Sequence, residues 1–219
     1  KLAESMAYIY RVWPHLEEKE SDRLLPFLTT VANKGIEPVQ NMYKSMSTHG
    51  RQITPDMIDD LAQQSFPLCM RDLHKNLRRE HKLKHQGRMQ YGLFLKGIGL
   101  TLDQSLQFWQ SEFTKVMTEN EFNKNYAYNI RHSYGKEGKQ TNYSPYGCMK
   151  IIKGLNKPGD GEHHGCPFRN FSEQNLRNEM RNVSDQQSVD EIVNLVKGSH
   201  YQVACRRYFE ATHPDINNF

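Results

Sequence analysis

With 219 residues, 37% of them hydrophobic and 11% aromatic, the chain has enough apolar material for one large domain or two small ones. No apolar run approaches the ~18 residues that cross a bilayer, so no membrane partner is expected, and the start KLAESMAYIY lacks the cationic end and apolar run of a secretory leader. The net charge of +4 is unevenly spread: eight basic and two acidic residues between Cys69 and Gly97 give that window +6, which leaves −2 for the rest and suits a polyanionic partner.

In chain order, the first fifty residues, with MAYIYRVWPHL and RLLPFLTTVANKG, read as one or two helices with no nameable chemistry. Lys1 in place of methionine reads as the start of an excised piece. Thr54-Pro55-Asp56 predicts an N-cap with proline at the first helical position, and Met57, Ile58 and Leu61 share a face. Ser65-Phe66-Pro67 restarts the chain into a second helix with Cys69, Met70, Leu73 and Leu77 at helical spacing. Thr101 to Gln104 matches a capping box ahead of Leu102, Leu106, Trp109, Phe113 and Val116. Residues 129–171 are rich in Gly, Pro, Asn and Ser without a sustained period, an uncommon length of weakly structured chain unless something cross-links it. Ser188 with Glu191 opens a further helix through Ile192, Val193, Leu195 and Val196 to Gly198, and Ser199 with Gln202 caps a last one carrying Val203, Cys205, Tyr208 and Phe209. The fold class expected is mainly α, with a long irregular segment and little β.

Three constellations carry chemistry. The cysteines Cys69, Cys148, Cys166 and Cys205 are separated by 79, 18 and 39 residues, with neither a Cys-x-x-Cys pair nor zinc-finger spacing. They read as reduced core thiols or as a shared metal site; Cys166-Pro167 has the ligand-proline order common in ferredoxins. His163 and His164 stand as alternative zinc ligands. In Arg79 to Leu100, basic residues interleave with His81, His85, Met89, Tyr91 and Phe94, as in surfaces that neutralise phosphates and pack on bases. In Asn123 to Lys139, Tyr126 and Tyr128 would share a face if this were a strand, beside Asn129, Arg131, His132 and Lys136. A nucleophile elbow, a Walker loop, a His-Glu-x-x-His motif and a clustered-carboxylate site are all missing, so self-contained catalysis is not expected.

The stretches SFPLCMRDLHKNLRREHKLKHQGRMQYGLFLKGIGLTLDQSLQFW, YAYNIRHSYGKEGKQTNYSPYGCMKII, HHGCPFR and KGSHYQVACRRYF together resemble the C-terminal domain of the eukaryotic DNA primase large subunit, over about residues 54 to 210. The resemblance implies that Cys69, Cys148, Cys166 and Cys205 ligate a [4Fe-4S] cluster around which two helical halves clasp. It implies residues 1–50 as the end of a preceding helical region or linker and 51–219 as the iron–sulfur, primer–template-binding domain. It also implies phosphate contacts from Lys84, His85, Arg88 and Lys96 to the 5′-triphosphate of an RNA primer, template-side packing by Met89 and Tyr91, and Tyr126, Tyr128 and Asn129 beside them. Such a domain is non-catalytic: it supports initiation, length control and handoff. Its partners would be the primase small (catalytic) subunit, DNA polymerase alpha, and the single-stranded DNA template with its primer, in the nucleus. Rival readings are an iron–sulfur DNA-processing enzyme of photolyase or glycosylase type, a zinc-stabilised RNA-binding module, and a helical interaction domain with core cysteines.

Overall fold

The computed structural model describes residues 53–183 and 185–213, with Tyr8, Tyr10 and Val12. Apart from those three positions, the expected helices of the first fifty residues lie outside the described residues. The chain divides into two units, Lys1–His49 and Gly50–Phe219, and every helix with defined bounds belongs to the second.

The second unit is helical, and among its described residues the only β pairing is an isolated antiparallel bridge between Tyr134 and Asn142. Thr54 and Pro55 open a 3-10 turn, Pro55–Met57, that continues into α1, Ile58–Gln64. Pro67, whose ring fixes its φ at −59°, precedes α2, Leu68–Glu80. Leu68, Met70, Leu73 and Leu77 are buried at helical spacing, and the helix stops at His81 in the left-handed conformation with φ 55°. Helix α3, His85–Gly97, and α4, Leu102–Phe113, follow. The capping box of α4 is complete, with Gln104 N–H donating to Thr101 Oγ1 and Thr101 N–H to Gln104 Oε1.

Beyond α4 come α5, Glu119–Phe122, a π-helical turn, Asn123–Ala127, and α6, Tyr128–Ser133. Irregular chain then runs to a second π-helical turn, Lys150–Gly154, and on to α7, Pro167–Asn170. Helices α8, Glu173–Glu179, α9, Gln186–Lys197, and α10, Tyr201–Thr212, complete the unit. One contiguous core runs from Ile58 of α1 through Phe108 and Phe113 of α4 to Ile192 of α9 and Tyr208 of α10.

Three details differ from the periodic reading. Val116 is 51% exposed because α4 ends at Phe113, so it falls off the apolar stripe. Helix α9 starts before Ser188: Asp185 is its cap and accepts from the N–H groups of Gln187 and Ser188. Helix α10 is preceded by His200 without a side-chain cap bond; Ser199 has φ 62°, and Val203 and Phe209 face outward while Ala204 and Tyr208 are buried.

A buried ion cluster joins α1, α2 and α4. Glu112, with 1% of its side chain exposed, accepts from Arg78, from His81 Nδ1 at 2.7 Å and from Lys115 Nζ at 2.9 Å. Arg78 also pairs with Asp59 of α1 at 2.7 Å. Burial would raise the Glu112 pKa, but the hydrogen bonds from His81, Lys115 and Arg78 prevail and hold it below the ordinary value of 4.5. A carboxylate depressed in the folded state contributes stability above its unfolded pKa and loses it as pH falls through the folded one. Glu112→Gln therefore costs about 3 kcal/mol at pH 7, measured by urea unfolding, and its deficit against the unsubstituted chain shrinks as pH falls below the ordinary glutamate pKa; a deficit constant with pH would refute the assignment.

Candidate nucleic-acid interface and cysteine cluster

Residues 85, 88, 89, 92 and 96 recur at three- and four-residue steps and so form one face of α3. That face meets α4 and the Asn123–Ser133 stretch around a pocket of about 30 Å³, lined by His85, Arg88, Met89, Trp109, Tyr126 and Asn129 among others. Gly92 faces Trp109, and a Cβ there would lie in ordinary contact with the indole at 3.6 Å. The floor is aromatic, with Trp109 against Phe113 at 5.5 Å and Phe113 against Tyr126 at 4.9 Å, both edge-to-face. Arg88 lies over the Tyr126 ring at 4.8 Å, and its Nη1 donates to the Leu83 carbonyl at 2.8 Å. That bond uses one of five guanidinium donors, beside exposed His85 at the same pocket. Five of the expected contacts (His85, Arg88, Met89, Tyr126 and Asn129) thus come together.

Four others fall elsewhere. Lys84 caps the start of α3, exposed, and its ammonium donates to the Asp160 carbonyl at 2.6 Å. Tyr91 is 0% exposed: its ring packs in the core against Phe94, Phe108 and Trp109, apart from the pocket lining. Burial lowers the His74 pKa; the neutral ring donates from Nε2 to Asp59 at 2.8 Å and accepts the Tyr91 hydroxyl at Nδ1 at 2.7 Å. Lys96, at the end of α3, turns its ammonium toward the irregular chain after α6. It donates to the Ser133 carbonyl at 2.7 Å, the Tyr143 carbonyl at 2.6 Å and the Asn142 side chain. Burial pushes this lysine down to about 8. Tyr128 sits two helical residues from Tyr126 and so faces away from it, 47% exposed and stacked on His132 at 6.1 Å. The shared face expected of a strand does not form.

The basic run is likewise largely committed. Lys75 pairs with Glu179, Arg78 with Asp59 and Glu112, and Arg79 with Glu80, while Arg71 donates to Tyr208.

The four cysteines, far apart in sequence, are free thiols. Cys69 lies in the first turn of α2, Cys148 opens the turn before Lys150, Cys166 caps α7 and Cys205 lies on α10. Burial, then the charges of Cys205, Cys166 and Cys148, push the Cys69 pKa far up. Burial and the neighbouring Cys148 and Cys166 raise Cys205 to about 12. Cys166 is raised by burial and held back by the backbone N–H groups of Arg169 and Phe168. Cys148 and Cys205 line a cavity of about 620 Å³ with Phe66, Pro67, Arg71 and Tyr208. No group of three or more His, Cys, Asp or Glu side chains among the described residues is close enough to hold a single metal ion. The two histidines beside Cys166 are occupied in closing their loop: His163 Nε2 meets Glu80 at 3.0 Å, and His164 Nε2 meets the Asn156 carbonyl at 3.0 Å.

One contact that composition and spacing do not reveal ties the cysteines to the pocket. Gln90, 0% exposed, lies on α3 beside Met89. Its Nε2 donates to the Gly165 carbonyl at 3.2 Å, and its Oε1 accepts the Gly165 N–H at 2.7 Å. Gly165 has φ 98°, a conformation that suits glycine. A polar residue in the middle of an otherwise apolar helix face was the available signal. Gln90→Leu leaves both backbone groups of Gly165 buried without partners and costs about 2–4 kcal/mol. Urea unfolding at neutral pH checks this; a loss under about 0.5 kcal/mol would show that the pair is dispensable.

Residues 59–218 match the family model for the C-terminal domain of the eukaryotic and archaeal DNA primase large subunit. The chain is 49% identical over 214 residues to the DNA primase large subunit of Mus musculus and 48% identical over 217 residues to that of Homo sapiens, covering 97% of the chain and 41% of each relative. It is 44% identical to a probable DNA primase large subunit of Arabidopsis thaliana, over 97% of the chain and 46% of the relative. The chain spans less than half the length of these curated relatives. With the family match reaching across α1 to α10 and the relatives aligned over nearly all of its residues, the chain belongs to the eukaryotic and archaeal DNA primase large subunits, in the part that corresponds to their C-terminal domain.

Proposed function

We propose that this chain is the non-catalytic primer–template-binding domain of a primase, and that it grips the 5′-triphosphate end of an RNA primer on its DNA template. The observation that carries the reading is the convergence of His85, Arg88, Met89, Tyr126 and Asn129 on one aromatic-floored pocket in a chain of this family. A triphosphate is a dense anion, for which Arg88 and the exposed Lys84 supply cationic donors and His85 a ring N–H. Met89, Tyr126 and Asn129 supply polarizable, aromatic and amide surface for the adjoining template nucleotide. Holding the 5′ end while a separate small subunit extends the 3′ end supports initiation and limits primer length. Handoff to DNA polymerase alpha and a nuclear location follow from that role.

Cys69, Cys148, Cys166 and Cys205 are the residues that would hold a [4Fe-4S] cluster. In a cubane each thiolate binds its own iron, so the four sulfurs stand further apart than around one ion. What supports the reading is that the four cysteines come from separate segments, with Cys148 and Cys205 lining one cavity beside Pro67 of the α2 entry. The cluster would supply covalent cross-links between helices and irregular chain, with Cys69, Cys166 and Cys205 giving up the protons that burial makes them keep. Two helical halves would thereby be clasped together.

Metal analysis of anaerobically purified protein is expected to give about four iron and four acid-labile sulfide per chain; zinc alone, or no metal in folded protein, would overturn the cluster. Arg88→Ala is expected to weaken binding to a triphosphorylated primer–template about tenfold, and binding to the same duplex with a 5′-hydroxyl by much less. Equal losses on both substrates, measured by fluorescence anisotropy at fixed salt, would reduce Arg88 to general electrostatics.

A further inference from the structure

Of the four thiols only Cys148 is exposed, and it lies outside any long helix, at the start of the turn that leads into Lys150–Gly154. Cys69 and Cys205 are placed by α2 and α10, and Cys166 is buried and held through Gly165 by Gln90. A ligand carried on irregular chain needs fixed points on both sides of it. Downstream of Cys148, Ile151 and Ile152 are buried, and Arg169, on α7 just after Cys166, donates to the Ile152 carbonyl. Upstream, the fixed point is the end of α3.

Gly97, the last residue of α3, meets Pro145, which stands shortly before Cys148 in the chain. A Cβ at Gly97 would collide with the Cγ of the proline ring and lie 3.5 Å from its Cβ and Cδ. A proline ring cannot swing away as the end of a long side chain can, so what residue 97 must provide is space. Its backbone conformation is not the reason: the residue is helical, where alanine is favoured over glycine. Beside this contact Lys96 donates to the Tyr143 carbonyl at 2.6 Å, and Lys150 lies over the Tyr146 ring at 3.7 Å. Residues 143–150 are thus fastened to α3 on one side of Cys148 and folded back on themselves across it.

We propose that Gly97 is a positioning residue for Cys148: by leaving room for Pro145 against α3, it brings the exposed thiol to the ligand set of Cys69, Cys166 and Cys205. The proposal rests on the reading of the four cysteines as cluster ligands. Helix α3 then serves two of them, Cys166 through Gln90 and Cys148 through Gly97, from points about two turns apart. Iron held by Cys148 is the iron lost first when the contact is disturbed.

The test uses the whole chain purified anaerobically with its iron. Release of iron to a ferrous chelator is followed by absorbance, and a pulse of iodoacetamide with peptide mass mapping reports which thiol leaves the metal. Gly97→Ala is expected to speed iron release about tenfold, the scale on which an overpacked contact changes a rate, with Cys148 alkylated ahead of the other three cysteines. Helix content by circular dichroism holds or rises, because alanine itself favours α3. Adding Pro145→Ala to that variant removes the collision and returns the release rate to within about twofold of the unsubstituted chain. If Gly97→Ala does not fold, Pro145→Gly decides: loss of the ring speeds release with Cys148 again alkylated first, and an unchanged rate overturns the proposal. Unchanged release in folded Gly97→Ala, release that Pro145→Ala does not restore, or equal alkylation of all four thiols would each overturn the positioning role and leave the cluster reading standing. An unsubstituted chain that folds without iron would overturn the cluster reading and the positioning role together.

Discussion

The two hydrogen bonds between the Gln90 amide and the backbone of Gly165 are the constraint on which the rest of this structure depends. A buried amide pair has no water to fall back on, so breaking it strands two polar groups at once. Because Gly165 precedes Cys166 and Gln90 follows Met89 on α3, the pair fixes the loop that presents one thiol against the helix that presents the pocket. Neither can shift without the other. The loop that presents the Cys166 thiol is thus tied to α3 through a path one side chain long.

Much of the fold was legible in the sequence, and the reasons are local. Pro67 fixes the entry to α2, the reciprocal Thr101–Gln104 bonds fix the entry to α4, and the apolar positions of both helices sit where a 3.6-residue period puts them. The failures are those of local pattern against competing caps. Asp185 outcompetes Ser188 because its carboxylate reaches two backbone N–H groups, and at α10 the turn through Ser199 leaves the helix to begin after His200 without any side-chain bond.

The site was legible in part. His85, Arg88 and Met89 follow from the face of α3, whereas Tyr91, one turn from Arg88, is drawn into the core by packing that the wheel does not show. A strand period joined Tyr126 to Tyr128, and the helical backbone separates them. What no local reading supplies is which cations are spent within the chain. Most of the basic residues of α2 and α3 answer to Asp59, Glu80, Glu112, Glu179 or backbone carbonyls, partners between one and more than a hundred positions away. A charge run thus locates the face where anions gather, while the free donors on it are set by tertiary pairing.

Lys84 and Lys96 bracket α3, one bound to the Asp160 carbonyl and the other to Ser133, Asn142 and Tyr143. The irregular chain is therefore moored to the two ends of a single rigid rod, and the stretch between Gly154 and Asp160 spans fixed points. Lengthening a loop whose ends are already pinned costs only about 0.6 kcal/mol per doubling. This short stretch is not slack, however: Leu155 is buried and the Asn156 carbonyl meets His164 Nε2, two residues before Cys166, so a change of length there reaches the loop that presents the thiol.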